Sequence, residues 1–68
     1  MKTILELQEE LERVMPKTLY LDIEGYRPDV GGDVSISDEK FTSQFSERFE
    51  TLPEALEKAI DFLKRTYQ

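Results

Sequence analysis

The chain has 68 residues, with 15 Asp and Glu against 9 Lys and Arg, a formal net charge of −6, and neither Cys nor His. Its length suits a single domain over residues 1–68, small enough to bury only about 60% of the surface its unfolded form exposes. Without Cys there is no disulfide or thiolate metal site, without His the commonest general base is gone, and the negative balance disfavours direct contact with nucleic acid or an anionic membrane.

No apolar run approaches the ~20 residues that span a bilayer, and the N-terminal stretch lacks the apolar core of a signal peptide. Together with the missing Cys, this points to a cytoplasmic location. Apolar residues make up 38% of the chain and recur periodically, as a folded domain requires and a disordered one does not.

Met1–Met15 predicts a helix. Thr3 and Glu6 have the spacing of a capping box, and Pro16 stops the element. Ile4, Leu7, Leu11, Val14 and Met15 form one apolar stripe, while Glu6, Glu9, Glu10, Glu12 and Arg13 lie largely off it. Leu5 falls outside the stripe and is a candidate exposed contact.

Lys17–Glu24 alternates, with Leu19, Leu21 and Ile23 on one face and Tyr20, Asp22 and Glu24 on the other, the pattern of a half-buried strand. Gly25–Gly32 reads as a turn-rich loop. A second strand is expected over Asp33–Ser37 with Val34 and Ile36 inward, followed by a tight turn at Ser37–Lys40.

Phe41–Glu50 fits two readings. Phe41, Phe45 and Phe49 share a face in a strand and also in a helix, because a spacing of four serves both periods. The short preceding turn favours a strand over Lys40–Phe45, with an irregular connection through Ser46–Glu50. The outer face of the sheet would then carry Tyr20, Asp22, Glu24, Ser35, Ser37, Thr42 and Gln44.

Thr51–Tyr67 predicts the second helix. Thr51 and Glu54 form a capping pair, and Pro53 sits in the first turn, where its missing N–H costs nothing. Leu52, Ala55, Leu56, Ala59, Ile60, Phe62, Leu63 and Tyr67 fall within an arc of roughly 160°. Glu54–Lys58 and Asp61–Arg65 are i,i+4 ion pairs in the favourable order. The expected architecture is α+β: helix, three-stranded antiparallel meander, helix, with both helices on one face of the sheet.

Asp22 and Glu24, beside Tyr20, are paired carboxylates, yet an open three-stranded sheet gives them no dry pocket in which to separate their roles. Asp29, Asp33, Asp38 and Glu39 supply oxygen ligands without the spacing of a calcium loop. Gly25–Gly32 lacks the ending of a phosphate loop and precedes a strand. The serines have no His to activate them. No catalytic, cofactor-binding or metal-ligating residue is assigned, and a non-enzymatic protein is expected. Tyr26, Arg27 and Val30 sit on a loop longer than a hairpin needs, and Tyr and Arg commonly anchor interfaces.

The segment Phe49-Glu-Thr-Leu-Pro-Glu-Ala-Leu-Glu-Lys-Ala-Ile-Asp-Phe-Leu63 resembles the strand-to-helix passage of HicB-type antitoxin domains. It is similar also to small phage and prophage proteins in which a Thr-Leu-x-Glu-Ala-Leu start launches a helix on a small antiparallel sheet. The likeness covers about a quarter of the chain and implies the fold and a mobile-element origin. It transfers no catalytic residue. Within its 68 residues the chain departs from that family by an added N-terminal helix and no appended DNA-binding region.

The expected function is that of a small acidic protein-binding module acting on a host or phage protein with a basic surface, as a nucleic-acid mimic would. The expected contacts are Tyr20, Asp22, Glu24, Tyr26, Arg27, Asp29, Val30 and Asp33, and Glu9, Glu10 and Glu12 add to the acidic surface. The alternative is a homodimer built on Leu5, the outer sheet face or a sheet edge. The plainest account of the acidity is solubility.

Overall fold

The computed structural model describes residues 2–67; Met1, placed in the first expected helix, lies outside them. The order is α1 (Ile4–Val14), β1 (Tyr20–Arg27), β2 (Gly31–Ser37), β3 (Ser43–Phe49) and α2 (Leu52–Tyr67). The strands form one antiparallel sheet in the order β1-β2-β3, so the chain has the expected α+β meander between two helices.

Both helices begin where side chains satisfy the first N–H groups. At α1 the capping box is complete: the Thr3 hydroxyl accepts from Glu6 N, and the Glu6 carboxylate accepts from Thr3 N. At α2 the Thr51 hydroxyl accepts from Glu54 N at 3.4 Å, but the Glu54 carboxylate reaches one residue further back, to Glu50 N at 2.9 Å. The two i,i+4 pairs of α2 are present, Glu54–Lys58 and Asp61–Arg65, each at 3.7 Å.

Leu7 and Leu11 of α1, Leu56, Ala59, Ile60 and Leu63 of α2, Leu19 and Ile36 form one buried cluster, with Phe45 and Phe62 packed against it. A second cluster of Val34, Phe49 and Ala55 adjoins Leu21, Tyr26 and Phe45. Each fully buried Leu, Ile, Val or Phe contributes about 1.5–3 kcal/mol, so these few side chains carry most of the stability of so small a domain.

β1 begins at Tyr20 and not at the expected Lys17, because Lys17 and Thr18 form a turn in which Leu19 N–H donates to Pro16 O at 3.2 Å. The strands depart from the expected boundaries in three further places. First, β1 does not end at Glu24. Glu24 pairs with Asp33 and Arg27 with Gly31, so Gly25 and Tyr26 together oppose Gly32 in a bulge. Gly25 has φ +62°, the left-handed conformation that opens such a bulge. The expected loop Gly25–Gly32 is therefore mostly strand, and the turn is only Pro28, Asp29 and Val30, closed by Val30 N–H to Arg27 O at 3.1 Å.

Second, the turn after β2 is longer than Ser37–Lys40 and is built on one side chain. Asp38 Oδ1 accepts from Lys40 N and Thr42 N, and Oδ2 accepts from the Gln44 amide. Phe41 stands at the tip of this turn with φ +63°, 86% exposed.

Third, β3 starts at Ser43 and continues to Phe49, so the stretch expected to be irregular is regular strand. Phe45 opposes Ile36 and Phe49 opposes Gly32 on the inner face, but Phe41 lies outside the strand. The strand form prevails because the inner-face side chains of β2 need a third strand and α2 to cover them. Thr42, expected on the outer face, lies in the connection, and Ser46 and Arg48 occupy the outer face of β3.

Candidate functional site

α2 packs on the inner face of the sheet, α1 packs against α2, and the outer face of the sheet is left open. The alternation that buries Val34 and Ile36 turns Asp33, Ser35 and Ser37 outward, and the register places their neighbours beside them. Three rows cross the face: Tyr20 beside Ser37, then Asp22–Ser35–Ser46, then Glu24–Asp33–Arg48. The middle of the face is small and hydroxylated, while the β1 side is acidic and exposed.

Glu24 stands directly opposite Asp33. Like charges in that relationship repel across a ladder, and Asp33 is paired with Arg48, whose guanidinium is 3.9 Å away and donates to Val30 O at 3.0 Å. Arg48 thus anchors the β1–β2 turn to β3 as well as offsetting one carboxylate.

The sequence-derived contacts divide. Tyr20, Asp22, Glu24 and Asp33 share the outer face. Tyr26 does not join them: the bulge turns its ring to the inner side, where it stacks on Phe49 with centroids 5.7 Å apart. Arg27 ends β1, and Asp29 and Val30 belong to the exposed turn. Asp29 and Asp38 lie beyond opposite ends of β2, which separates the oxygen ligands gathered in the sequence. Among the described residues no group of three or more Asp or Glu is arranged to hold a metal ion.

The acidic surface is also smaller than expected. Glu10 is 7% exposed and belongs to a cleft of about 350 Å³ between the helices, lined by Leu7, Ile60, Asp61 and Lys64. Its Oε1 accepts from Lys2 and its Oε2 from Lys64. Those hydrogen bonds, Lys2 first and Lys64 second, hold its carboxyl down to about 2 against the opposing effect of burial. Glu10 is a strut between elements, not part of an acidic exterior. Glu9 and Glu12 are exposed on α1, in the layer on the far side of the sheet from Asp22 and Glu24.

Two features escaped sequence reasoning. Arg48 reaches the outer face because β3 continues to Phe49, which the common face of Phe45 and Phe49 could have indicated. The exposed Phe41 has no such signal, since its spacing matches its buried neighbours. Comparison with protein-family models, curated proteins and solved structures finds no match. Among the described residues no helix is long and apolar enough to cross a membrane.

Proposed function

We propose that this protein is a non-enzymatic binding module that docks a basic surface of another protein onto the uncovered face of its sheet. The observation that carries the reading is the Glu24–Asp33 pair, two carboxylates held opposite each other on an exposed face, with one guanidinium, that of Arg48, on the far side of Asp33 from Glu24. An incoming Lys or Arg relieves that repulsion, and Asp22 extends the acidic strip along β1. The small side chains of Ser35 and Ser46 let a partner approach the strip closely. A groove that otherwise holds nucleic acid has the required chemistry, since its cations are spaced for an anionic strand.

The test is capture from lysate at low and high salt, comparing the wild-type protein with an Asp22→Asn/Glu24→Gln/Asp33→Asn variant. The expected result is a nucleic-acid-handling protein retained by wild type, released by salt, and missed by the variant, because exposed charges are screened within ~8–10 Å at physiological ionic strength. Equal capture by both proteins would remove the outer face from the argument.

Self-association is the second reading, favoured by the adjacent exposed Ile4 and Leu5 of α1, the latter 64% exposed. A sedimentation profile that stays monomeric at high micromolar concentration would eliminate it.

A further inference from the structure

The sheet has two border strands, and their free edges differ. On β3, Glu47 opposes Val34 and so turns toward the inner side, where its carboxylate is 3.9 Å from Lys58 Nζ. The same ammonium donates to the Arg48 carbonyl at 2.7 Å. An inward-pointing charge and a lysine laid on the main chain are devices that close an edge to further pairing.

Neither device is present on β1. Its inner-face residues Leu21 and Ile23 oppose the fully buried Ile36 and Val34, yet Ile23 is 37% exposed and Leu21 only half-buried. Apolar cover therefore stops short of this border. On the opposite face the same five residues present Asp22 and Glu24. The ladder is regular from Tyr20 to Glu24 and is broken beyond by the Gly25–Tyr26 bulge.

We propose that the β1 edge accepts an extended segment of a partner protein as a fourth strand over Tyr20–Glu24. Basic side chains at alternate positions of that segment face Asp22 and Glu24, and aliphatic ones between them extend the cover over Leu21 and Ile23. Main-chain hydrogen bonds supply affinity in this mode of recognition, and the alternating side chains supply specificity. The inference rests on the reading of the acidic face given above and names the form of the partner.

A second copy of β1 is a poor occupant. Antiparallel registers centred on Asp22, Ile23 or Glu24 set carboxylate against carboxylate, and one centred on Leu21 sets Asp22 against Tyr20 and Glu24 against Thr18, so none of these supplies the cations that a basic segment brings.

The test uses a peptide of about seven residues alternating lysine and valine, acetylated and amidated, added to the isotope-labelled full chain at low salt. Amide signals of Tyr20–Glu24 should shift and gain exchange protection, with those of Ser43–Phe49 unaffected. An Asp22→Asn/Glu24→Gln variant should bind about tenfold more weakly. A control peptide with the same side chains, N-methylated at alternate backbone nitrogens, should not bind. Equal binding of the methylated peptide would overturn strand addition while leaving the acidic-face reading standing. Undiminished binding of the parent peptide to the variant would overturn the acidic-face reading itself. Perturbation at β3 in place of β1, or no binding of the parent peptide at millimolar concentration, would overturn the edge assignment.

Discussion

Glu10 and Lys64 lie 54 residues apart in sequence and meet as an ion pair that ties α1 to α2. Lys2 completes the cluster from the chain's N-terminal side. Since Glu10 has a folded-state pKa of about 2, depressed from an ordinary 4.5, its contribution to stability is fully present above 4.5. The contribution is lost as pH falls toward 2. Thermal unfolding followed from pH 5 to pH 2 should show a decline in wild type that is shallower in Glu10→Gln. Glu6, lowered by its hydrogen bonds with Thr3, acts in the same direction and remains in both proteins.

Gly31 should be the less replaceable of two left-handed glycines. A Cβ on Gly31 would stand 2.0 Å from the Phe49 carbonyl oxygen, whereas one on Gly25 meets nothing within 4 Å. Gly25→Ala should cost about 1–2 kcal/mol, the backbone penalty alone. Gly31→Ala should cost more than about 3 kcal/mol or prevent folding, because backbone must move. Urea unfolding of the two variants checks the order.

Phe41→Asn should raise stability. The residue holds φ +63° with a bulky side chain that buries almost nothing, and Asn tolerates that conformation better. A gain of up to about 1 kcal/mol in urea unfolding is expected. A loss would mean that the ring makes contacts in solution.

The two tyrosines of β1 should respond differently to truncation. Tyr26→Ala removes the ring stacked on Phe49 and should cost about 1–3 kcal/mol. Tyr20→Ala, on the exposed face, should stay within about 0.5 kcal/mol of wild type. Similar losses for both would contradict the bulge that separates their faces.

The helices were legible because their signals are local. Thr3 with Glu6, Thr51 with Glu54, and apolar stripes at helical spacing state where each helix starts and which side it buries. Leu19, Leu21 and Ile23 similarly announced β1. Gly25 misled because a glycine after a strand suits a turn as well as a bulge, and only pairing with β2 decides between them. The phenylalanines at 41, 45 and 49 misled by sharing a spacing while only two of them lie in β3. Glu10 was unreadable for a different reason. Its burial depends on Lys64, and no periodicity within α1 reports a partner at the other end of the chain. Of the candidate contacts, the alternating Tyr20, Asp22, Glu24 and Asp33 were found together on one face, whereas Tyr26 required knowledge of the bulge.

The contact of Lys58 with Glu47 and the Arg48 carbonyl also bears on how the protein behaves when concentrated. Head-to-tail stacking of identical sheets needs two receptive borders, since each copy must both give and receive a strand, and repetition of such a step grows open fibres. With β3 occupied by its own lysine, a copy docked at one border cannot pass the pattern on. Lys58→Ala should therefore leave the fold in place yet promote slow, concentration-dependent polymerisation, visible as rising light scattering where the wild-type solution stays clear.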